Sequence, residues 1–301
     1  MTGSAVYRLL KKNKKKYKTI VRTRKQLDLV NQKKVYSFFK KNNIDAVIIC
    51  AAKVGGILAN SIYRGEFIFN NLSIQNNLFE ASRLNKIKNL IFLGSSCIYP
   101  KHSKQPIKEG YLLSGKLEES NEPYAIAKIA GLKMCEAYNN QYKTNFKCLM
   151  PPNLFGQNDN YHKNNSHFLP ALIRKIYISK KKNLRFIKLW GTGRAKREVM
   201  HVDDLADACL FFLEKKTKHV LINVGSGIEY SILNFAKIIM KKFNVKLNIK
   251  FSGPKIDGTP RKILNTKISK QYGWKSKISL SKALDITIKD FLEKKLCDKR
   301  G

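Results

Sequence analysis

The sequence predicts an α/β protein built on a doubly wound parallel sheet, with a smaller carboxy-terminal lobe. Short apolar blocks alternate with amphipathic segments in its first half, as strands and crossover helices do in such a sheet. The blocks at 44–50, 89–93 and 147–150 indicate buried strands, because each is a short apolar run that leads into glycine or proline. From about residue 159 onward loops and polar segments interrupt this alternation, which is typical of a second lobe.

The order of elements follows from the same pattern. We expect a helix over 4–13, a short strand at 19–21 and a helix with one apolar face formed by Val35, Phe38 and Phe39. A long amphipathic segment over 67–84 precedes the strand at 89–93, and a helix at 203–214 and a strand at 221–224 return to the first lobe. The sequence therefore predicts a first domain over residues 1–158, rejoined by about 198–225, and a second over 159–301.

The composition is that of a globular protein with 43% hydrophobic residues in 301. No apolar run reaches the ~18 residues that a membrane-spanning helix needs, so we expect no membrane segment. The six cysteines are scattered, without a C-x-x-C pair or the spacing of a zinc site. This usage predicts a reducing compartment, and hence a cytoplasmic protein without a metal site.

The charge is strongly positive, with 59 Lys and Arg against 21 Asp and Glu and a net charge of +38. Such a balance can indicate nucleic-acid binding. Here the basic residues are spread along the chain in short groups, without a nucleic-acid motif, so we interpret them as solvated faces and expect no nucleic-acid partner. The Lys-rich amino terminus also lacks the Arg and Ser enrichment of a transit peptide.

One segment carries most of the chemical information. Ser95 follows the strand at 89–93, and Tyr124 and Lys128 are four residues apart on one predicted helix face. A serine hydroxyl, a phenol and an ammonium can converge on one carbonyl, and the cation is expected to lower the pKa of the phenol toward neutrality. Taken alone, Tyr-x-x-x-Lys would be an ordinary surface pair, and the preceding strand with its two serines favours a carbonyl-reducing site.

Longer segments resemble one enzyme family. The chain is similar to the GDP-L-fucose synthases of the extended short-chain dehydrogenase/reductase superfamily over AAKVGGILAN, LGSSCIYPK, NEPYAIAKIAG, DNYHKNNSHFLPAL, WGTGRAKREVMHVDDLA and DGTPRK. The resemblance implies a Rossmann-like fold and a homodimer formed through a helix pair. It also implies that GDP-4-keto-6-deoxy-D-mannose is epimerised at C3 and C5 and reduced at C4 by NADPH.

The same resemblance assigns roles to residues. Ser95, Tyr124 and Lys128 match the reductase triad, and Cys97 and His167 match the pair that epimerises the sugar. A thiol and an imidazole suit this work, because both exchange protons near neutral pH. In isolation each would more often be structural, Cys97 as a small buried hydrophobe and His167 as a loop histidine.

The resemblance also assigns binding positions. Arg22 and Arg24 stand where an arginine can bind a 2′-phosphate, which favours NADP over NAD. Lys175 and Pro152 depart from the family, where arginine and threonine are usual. The implied cofactor-binding residues are Gly3, Arg22, Arg24, Leu93, Gly94, Ser95, Ser96, Lys128, Pro151, Pro152, Asn153, Leu154 and His167. The implied substrate-binding residues are Lys175, Trp190, Arg197, Asp257 and Lys262.

The start of the sequence departs most from this fold. Residues 1–5 match only the end of a glycine-rich dinucleotide loop, with Gly3 as its third glycine, and neither the first strand nor the first two glycines are present. Losing a central strand would orphan several backbone groups at ~1–3 kcal/mol each, against a domain stability of ~5–15 kcal/mol. We therefore expect Met1 to be an internal methionine of a longer natural protein, or the gene copy to be a decayed one.

Two other functions remain open at this point. A different extended short-chain enzyme, such as a nucleotide-sugar 4-epimerase or dehydratase, would need neither Cys97 nor His167. An inactive NADP-binding or RNA-associating protein would fit the incomplete glycine loop and the high positive charge.

Overall fold

The first half of the chain forms a parallel sheet with helices on both faces. The computed structural model describes residues 1–163, 165–251 and 259–294. In chain order the elements are α1 (Thr2–Lys12), α2 (Gln32–Lys40), β1 (Ala46–Ile49), α3 (Ile57–Ile62), α4 (Arg64–Leu84), β2 (Asn89–Leu93), α5 (Glu122–Tyr142), β3 (Asn145–Met150) and β4 (Asn153–Phe155). Helix α1 comes first, β1, β2 and β3 each come after a helix, and β4 follows β3 directly.

The second half continues with shorter strands. Its elements are α6 (Phe168–Lys181), β5 (Phe186–Leu189), β6 (Lys196–His201), α7 (Val202–Glu214), β7 (Leu221–Asn223), β8 (Glu229–Ser231), α8 (Ile232–Lys242), β9 (Asn248–Phe251), β10 (Arg261–Lys262), α9 (Lys267–Gln271) and α10 (Leu280–Glu293).

The main sheet has the order β1-β2-β3-β7, and all its strand pairs are parallel. Its strands are mostly apolar on both faces because helices cover both, and the buried Lys147 of β3 is an exception. Helices α2, α4 and α5 pack on one face around Phe79, Phe92 and Phe146, and α1 and α7 pack on the other around Leu149 and Phe212. The doubly wound α/β architecture expected from the sequence is therefore present.

A separate hydrophobic core is formed by α6, α8 and α10 around Phe235 and Phe291. Strands β4 and β10 flank β6 in parallel, β8 pairs with β6 in antiparallel fashion, and β5 pairs with β9. Strand β7 returns to the main sheet from within the segment expected to rejoin the first lobe. The division into two domains at residue 158 stays a prediction.

The prediction of a strand at 19–21 is wrong. These residues form no strand, and Ile20 and Val21 are exposed to solvent. A strand forms only where a neighbouring strand accepts its backbone hydrogen bonds. Strand β1 forms one edge of the main sheet and pairs with β2, and residues 19–21 do not add to that edge.

The described part of the chain has neither a membrane-spanning helix nor a metal-binding cluster. None of its helices is long and apolar enough to cross a membrane. It also contains no group of three or more His, Cys, Asp or Glu side chains arranged to hold a metal ion. Asp257, one of the expected substrate-binding residues, lies outside the described residues.

Candidate active site

Ser95, Cys97 and Tyr124 come together at the carboxyl end of β2. The chain leaves β2 through Gly94 and Ser95 and enters a short 3₁₀ helix at Ser96–Ile98, whose start is capped by the Ser95 Oγ accepting from the Cys97 backbone N–H at 3.3 Å. Tyr124, in the first turn of α5, is hydrogen-bonded to the Ser95 side chain and interacts electrostatically with Cys97. A hydroxyl, a thiol and a phenol therefore meet in one half-buried cluster.

The Tyr124 phenol remains protonated at neutral pH. Burial raises the pKa of Tyr124 above its ordinary value, the neighbouring Cys97 raises it further, and only the hydrogen bond with Ser95 lowers it. The expectation that Lys128 lowers this pKa toward neutrality does not match the structure. The free-energy cost of placing a phenolate in a poorly solvated cleft outweighs the attraction of a cation on the next helical turn.

Lys128 lies deeper than Tyr124, with 4% of its surface exposed. Its ammonium donates to the Leu93 carbonyl at 2.7 Å, 4.7 Å from the centre of the Phe92 ring and 5.8 Å from that of Tyr124. Burial lowers the pKa of Lys128 to about 8. The lysine thus ties α5 to the end of β2 and keeps a positive charge behind the phenol.

The thiol of Cys97 has a second partner from the far end of the chain. Lys262, on β10, places its Nζ 3.8 Å from the Cys97 Sγ. Lys262 also pairs with Arg197 of β6 in the register of the two strands, so two expected substrate-binding residues are neighbours. The structure therefore connects this part of the expected substrate site to the expected epimerisation site.

His167 occupies the N-cap position of α6, one residue after a tight contact between loops. A Cβ on Gly56 would lie 2.8 Å from the Ser166 carbonyl oxygen, so the loop after β1 packs directly against the His167 loop. The ring is open to water on one side, yet protein surrounds enough of it that desolvation lowers its pKa. The protonated form of such an imidazole is a stronger acid than an ordinary imidazolium.

The remaining substrate-binding positions form a second pair. Lys175, on α6, donates to the Lys188 carbonyl at 3.1 Å and lies 5.7 Å from the centre of the Trp190 ring. Trp190 is 69% exposed, an unusual state for so large an aromatic side chain. Arg197 also donates from its guanidinium to the Lys196 carbonyl.

Several of the expected cofactor-binding residues lie near the carboxyl ends of the main strands. Gly3, in the first turn of α1, is close to the end of β1, where a Cβ on Gly3 would lie 3.6 Å from the Cys50 Cβ. Ser96 donates from its backbone to the Pro151 carbonyl, and Pro152 is buried beside it. Asn153 donates from its side chain to the Glu198 carbonyl, and Leu154, next on β4, pairs with Met200 of β6.

Three of these positions have a structural explanation or lie apart from the others. A Cβ on Gly94 would lie 2.4 Å from the Met150 Cε and 3.1 Å from the Cys148 Sγ, so the sheet already packs closely against this glycine. Arg22 and Arg24 are exposed on the irregular segment after α1, where Arg22 stacks on Phe38 at 5.2 Å. The structure does not bring these arginines into contact with the Ser95 cluster.

Sequence reasoning missed Glu198, a fully buried carboxylate on β6. It accepts from the backbone N–H groups of Leu264 at 2.7 Å and Gly227 at 2.8 Å, and burial raises its pKa to about 7. Its only sequence signal was an acidic residue beside the apolar pair Val199 and Met200 of a strand. Glu198 holds the segment that carries Lys262.

These residues fit a nicotinamide dinucleotide, and they fit its nicotinamide end best. Ser95, Tyr124 and Lys128 supply the hydroxyl, proton donor and buried cation that a carbonyl and a nicotinamide ribose require. At the other end, α1 begins beside the end of β1 without a side-chain cap from any described residue, an arrangement that suits an anion.

Comparisons with known proteins identify the family of this chain. The model of the NAD dependent epimerase/dehydratase family matches residues 1–225. GDP-L-fucose synthase of Escherichia coli (strain K12) is 44% identical over 302 residues, which cover 97% of this chain and 94% of that protein.

Solved structures show the same relationship. A GDP-6-OMe-4-keto-L-xylo-heptose reductase from C. jejuni is 33% identical with a TM-score of 0.89, covering 97% of this chain and 95% of that one. A GDP-L-fucose synthetase from Naegleria fowleri, bound to NADP, is 26% identical with a TM-score of 0.89, covering 100% of this chain and 93% of that one. The chain therefore belongs to the NAD dependent epimerase/dehydratase family and, within it, to the family of the GDP-L-fucose synthases.

Proposed function

We propose that this chain converts GDP-4-keto-6-deoxy-D-mannose to GDP-L-fucose, by epimerisation at C3 and C5 and NADPH-dependent reduction at C4. The observation that carries the proposal is the position of Cys97 beside Ser95 and Tyr124. Ketone reduction requires only the hydroxyl, the phenol and the lysine. A thiol in the same cluster adds a base for the carbons next to the ketone.

The epimerisation uses the acidity of those carbons. C3 and C5 both flank the C4 ketone, so loss of a proton from either gives an enolate whose charge lies on the C4 oxygen. Cys97 removes the proton from one face and His167 returns one to the other, which inverts the centre. Ser95 and Tyr124 hydrogen-bond the oxygen while it carries the charge.

The reduction uses the same phenol as an acid. NADPH, when bound, would be the source of the hydride for C4. Because the pKa of Tyr124 is raised, the phenol carries its proton at neutral pH and can give it to the C4 oxygen. The buried ammonium of Lys128, 5.8 Å from the ring centre, then stabilises the phenolate.

The choice of NADP over NAD rests on Arg22 and Arg24. Both are exposed and cationic in the segment after α1, where a guanidinium can bind a 2′-phosphate in bidentate fashion. The NADP-bound Naegleria fowleri relative supports the same choice. Arg22→Ala with Arg24→Ala should raise the KM for NADPH more than that for NADH.

For the nucleotide part of the substrate we propose the pair of Lys175 and Trp190. The exposed indole offers a face on which a guanine base can stack, and the ammonium beside it attracts the diphosphate. Lys175 replaces the arginine that is usual in the family, so it contacts phosphate as a point charge and not as a fork.

We also propose a homodimer formed through α4 and α5. These adjacent helices expose Phe69, which is 63% exposed, and Ile126, which is 42% exposed, and Ile62 of α3 nearby is 61% exposed. An apolar face of this kind suits a second copy of the same surface. Phe69→Glu should shift the protein to monomer in sedimentation velocity, whereas an unchanged dimer would exclude this face.

The decisive experiment follows turnover in D₂O. Wild-type protein with GDP-4-keto-6-deoxy-D-mannose and NADPH should oxidise NADPH and give product carrying deuterium at C3 and C5. Cys97→Ser should lose the deuterium incorporation while still binding NADPH. Full turnover by Cys97→Ser would favour another extended short-chain enzyme, and no NADPH oxidation by wild type would favour an inactive protein.

A cytoplasmic location stays a prediction.

A further inference from the structure

The contact between Lys262 and Cys97 joins residues 165 positions apart in the chain. Lys262 and Cys97 are both half-buried, so their 3.8 Å separation lies in a cleft that is only partly solvated. The sequence assigned Lys262 to substrate binding alone. Its contact is instead with the group that acts as base in the proposed epimerisation.

The backbone around Lys262 is held from two sides. On one side, Ile107 donates to the Ile263 carbonyl at 2.8 Å, and Ile263 donates to the Gln105 side chain at 3.0 Å. Both partners belong to the loop that continues from the 3₁₀ helix of Cys97. The segment with the lysine is therefore attached to the same loop that carries the thiol.

On the other side, the buried carboxylate of Glu198 accepts from the Leu264 backbone N–H, and Lys262 pairs with Arg197 in the strand register. Glu198 is completely buried, so it anchors β10 to β6 from inside the protein. Because its backbone is held in this way, Lys262 can move away from the Cys97 thiol only by changing its side-chain rotamer.

We propose that Lys262 is a positioning residue for Cys97, whose ammonium stabilises negative charge on the Sγ and holds that atom toward the sugar. The inference rests on the proposed function. In the step concerned, the Cys97 Sγ takes a proton from C3 or C5, and the electron pair of that C–H bond moves into the enolate with its charge on the C4 oxygen. Lys262 exchanges no proton in this step.

The first test measures the thiol without substrate. Iodoacetamide is added to Lys262→Met, to Lys262→Arg and to the control Lys267→Met, an exposed lysine five residues further on, and alkylation of the Cys97 peptide is followed by mass spectrometry. Two unit charges ~4 Å apart in water shift an equilibrium about fivefold. A better-stabilised thiolate is intrinsically less reactive, which offsets part of that factor. We expect Lys262→Met to slow alkylation by about threefold, Lys262→Arg to restore the rate, and the control to match wild type.

The second test separates the two halves of the reaction. Lys262→Met should reduce deuterium incorporation at C3 and C5 more than it reduces NADPH oxidation with the already epimerised keto-sugar. If Lys262 only binds substrate, both activities will fall together through KM and alkylation will be unchanged, which overturns the proposal. If wild type incorporates no deuterium, the proposed function fails, while the alkylation rates still report whether the contact exists.

Discussion

The contact between Gly56 and the His167 loop allows a sharp test of the proposed acid. A Cβ on Gly56 would lie 2.8 Å from the Ser166 carbonyl oxygen. The φ of Gly56 is −71°, which any residue adopts, so Gly56→Ala adds a clash without backbone strain. The side chain of Asn60 donates to the Gly56 carbonyl at 3.0 Å and Asn71 holds the same loop at Lys53, so the loop after β1 cannot easily yield.

The size of the effect follows from this distance. Ordinary contacts of a Cβ begin near 3.4 Å, so the Ser166 oxygen must move by roughly 0.6 Å. Because that oxygen belongs to the backbone, His167, the next residue, moves with it. A displacement of ~1 Å can cost ~10²-fold in a positioned reaction, so we expect about a tenfold loss of proton transfer by His167.

The assay is deuterium incorporation at C3 and C5, compared with NADPH oxidation on the already epimerised keto-sugar. Gly56→Ala should reduce deuterium incorporation about tenfold and keep most of the NADPH oxidation, because Tyr124, which serves the reduction, lies on another element. Gly65→Ala is the matched control, since no atom lies within 4 Å of a Cβ there. Gly56→Ser restores a good helix N-cap but keeps the Cβ, so it should be impaired as well. Normal incorporation by Gly56→Ser would refute the steric reasoning.

Three further predictions concern buried charges and the exposed indole. Burial lowers the pKa of Lys147 from 10.5 to about 8, so the charged form of this lysine destabilises the fold. Lys147→Met should therefore raise the free energy of unfolding in urea at pH 7 by about 2–3 kcal/mol, and the gain should become smaller toward pH 10.5. The control Lys237→Met, at an exposed lysine, should give no gain. Burial raises the pKa of Glu198 from 4.5 to about 7, so stability should fall as the pH rises through that range, and Glu198→Gln should flatten the profile of melting temperature against pH. Trp190→Ala should raise the KM for the GDP-sugar about tenfold with little change in kcat, whereas a fall in kcat alone would contradict stacking on the base.

Local pattern was enough to predict most of the main sheet. The expected strands at 89–93 and 147–150 correspond to β2 and β3, and the helix with Tyr124 and Lys128 corresponds to α5. These elements are marked by their own apolar periodicity and by glycine or proline at their ends. The segment at 19–21 is also apolar, but it pairs with none of the described strands, and strand formation depends on such pairing.

The electrostatics of the site could not be predicted in the same way. A lysine four residues after a tyrosine suggested a lowered phenol pKa, yet burial raises the pKa of Tyr124 and lowers that of Lys128. Burial depends on how α5 packs against the end of β2, and no local spacing contains that information.

The fold class, the family and the residue types of the chemistry could be predicted from the chain alone, because they depend on periodicity and on short motifs. Three features required the folded structure: the contact of Lys262 with Cys97, the packing of Gly56 against the His167 loop, and the burial of Glu198 behind β10. Each of these contacts joins residues more than 50 positions apart. They depend on how whole helices and strands pack together, and the spacing of residues in the sequence does not predict that packing.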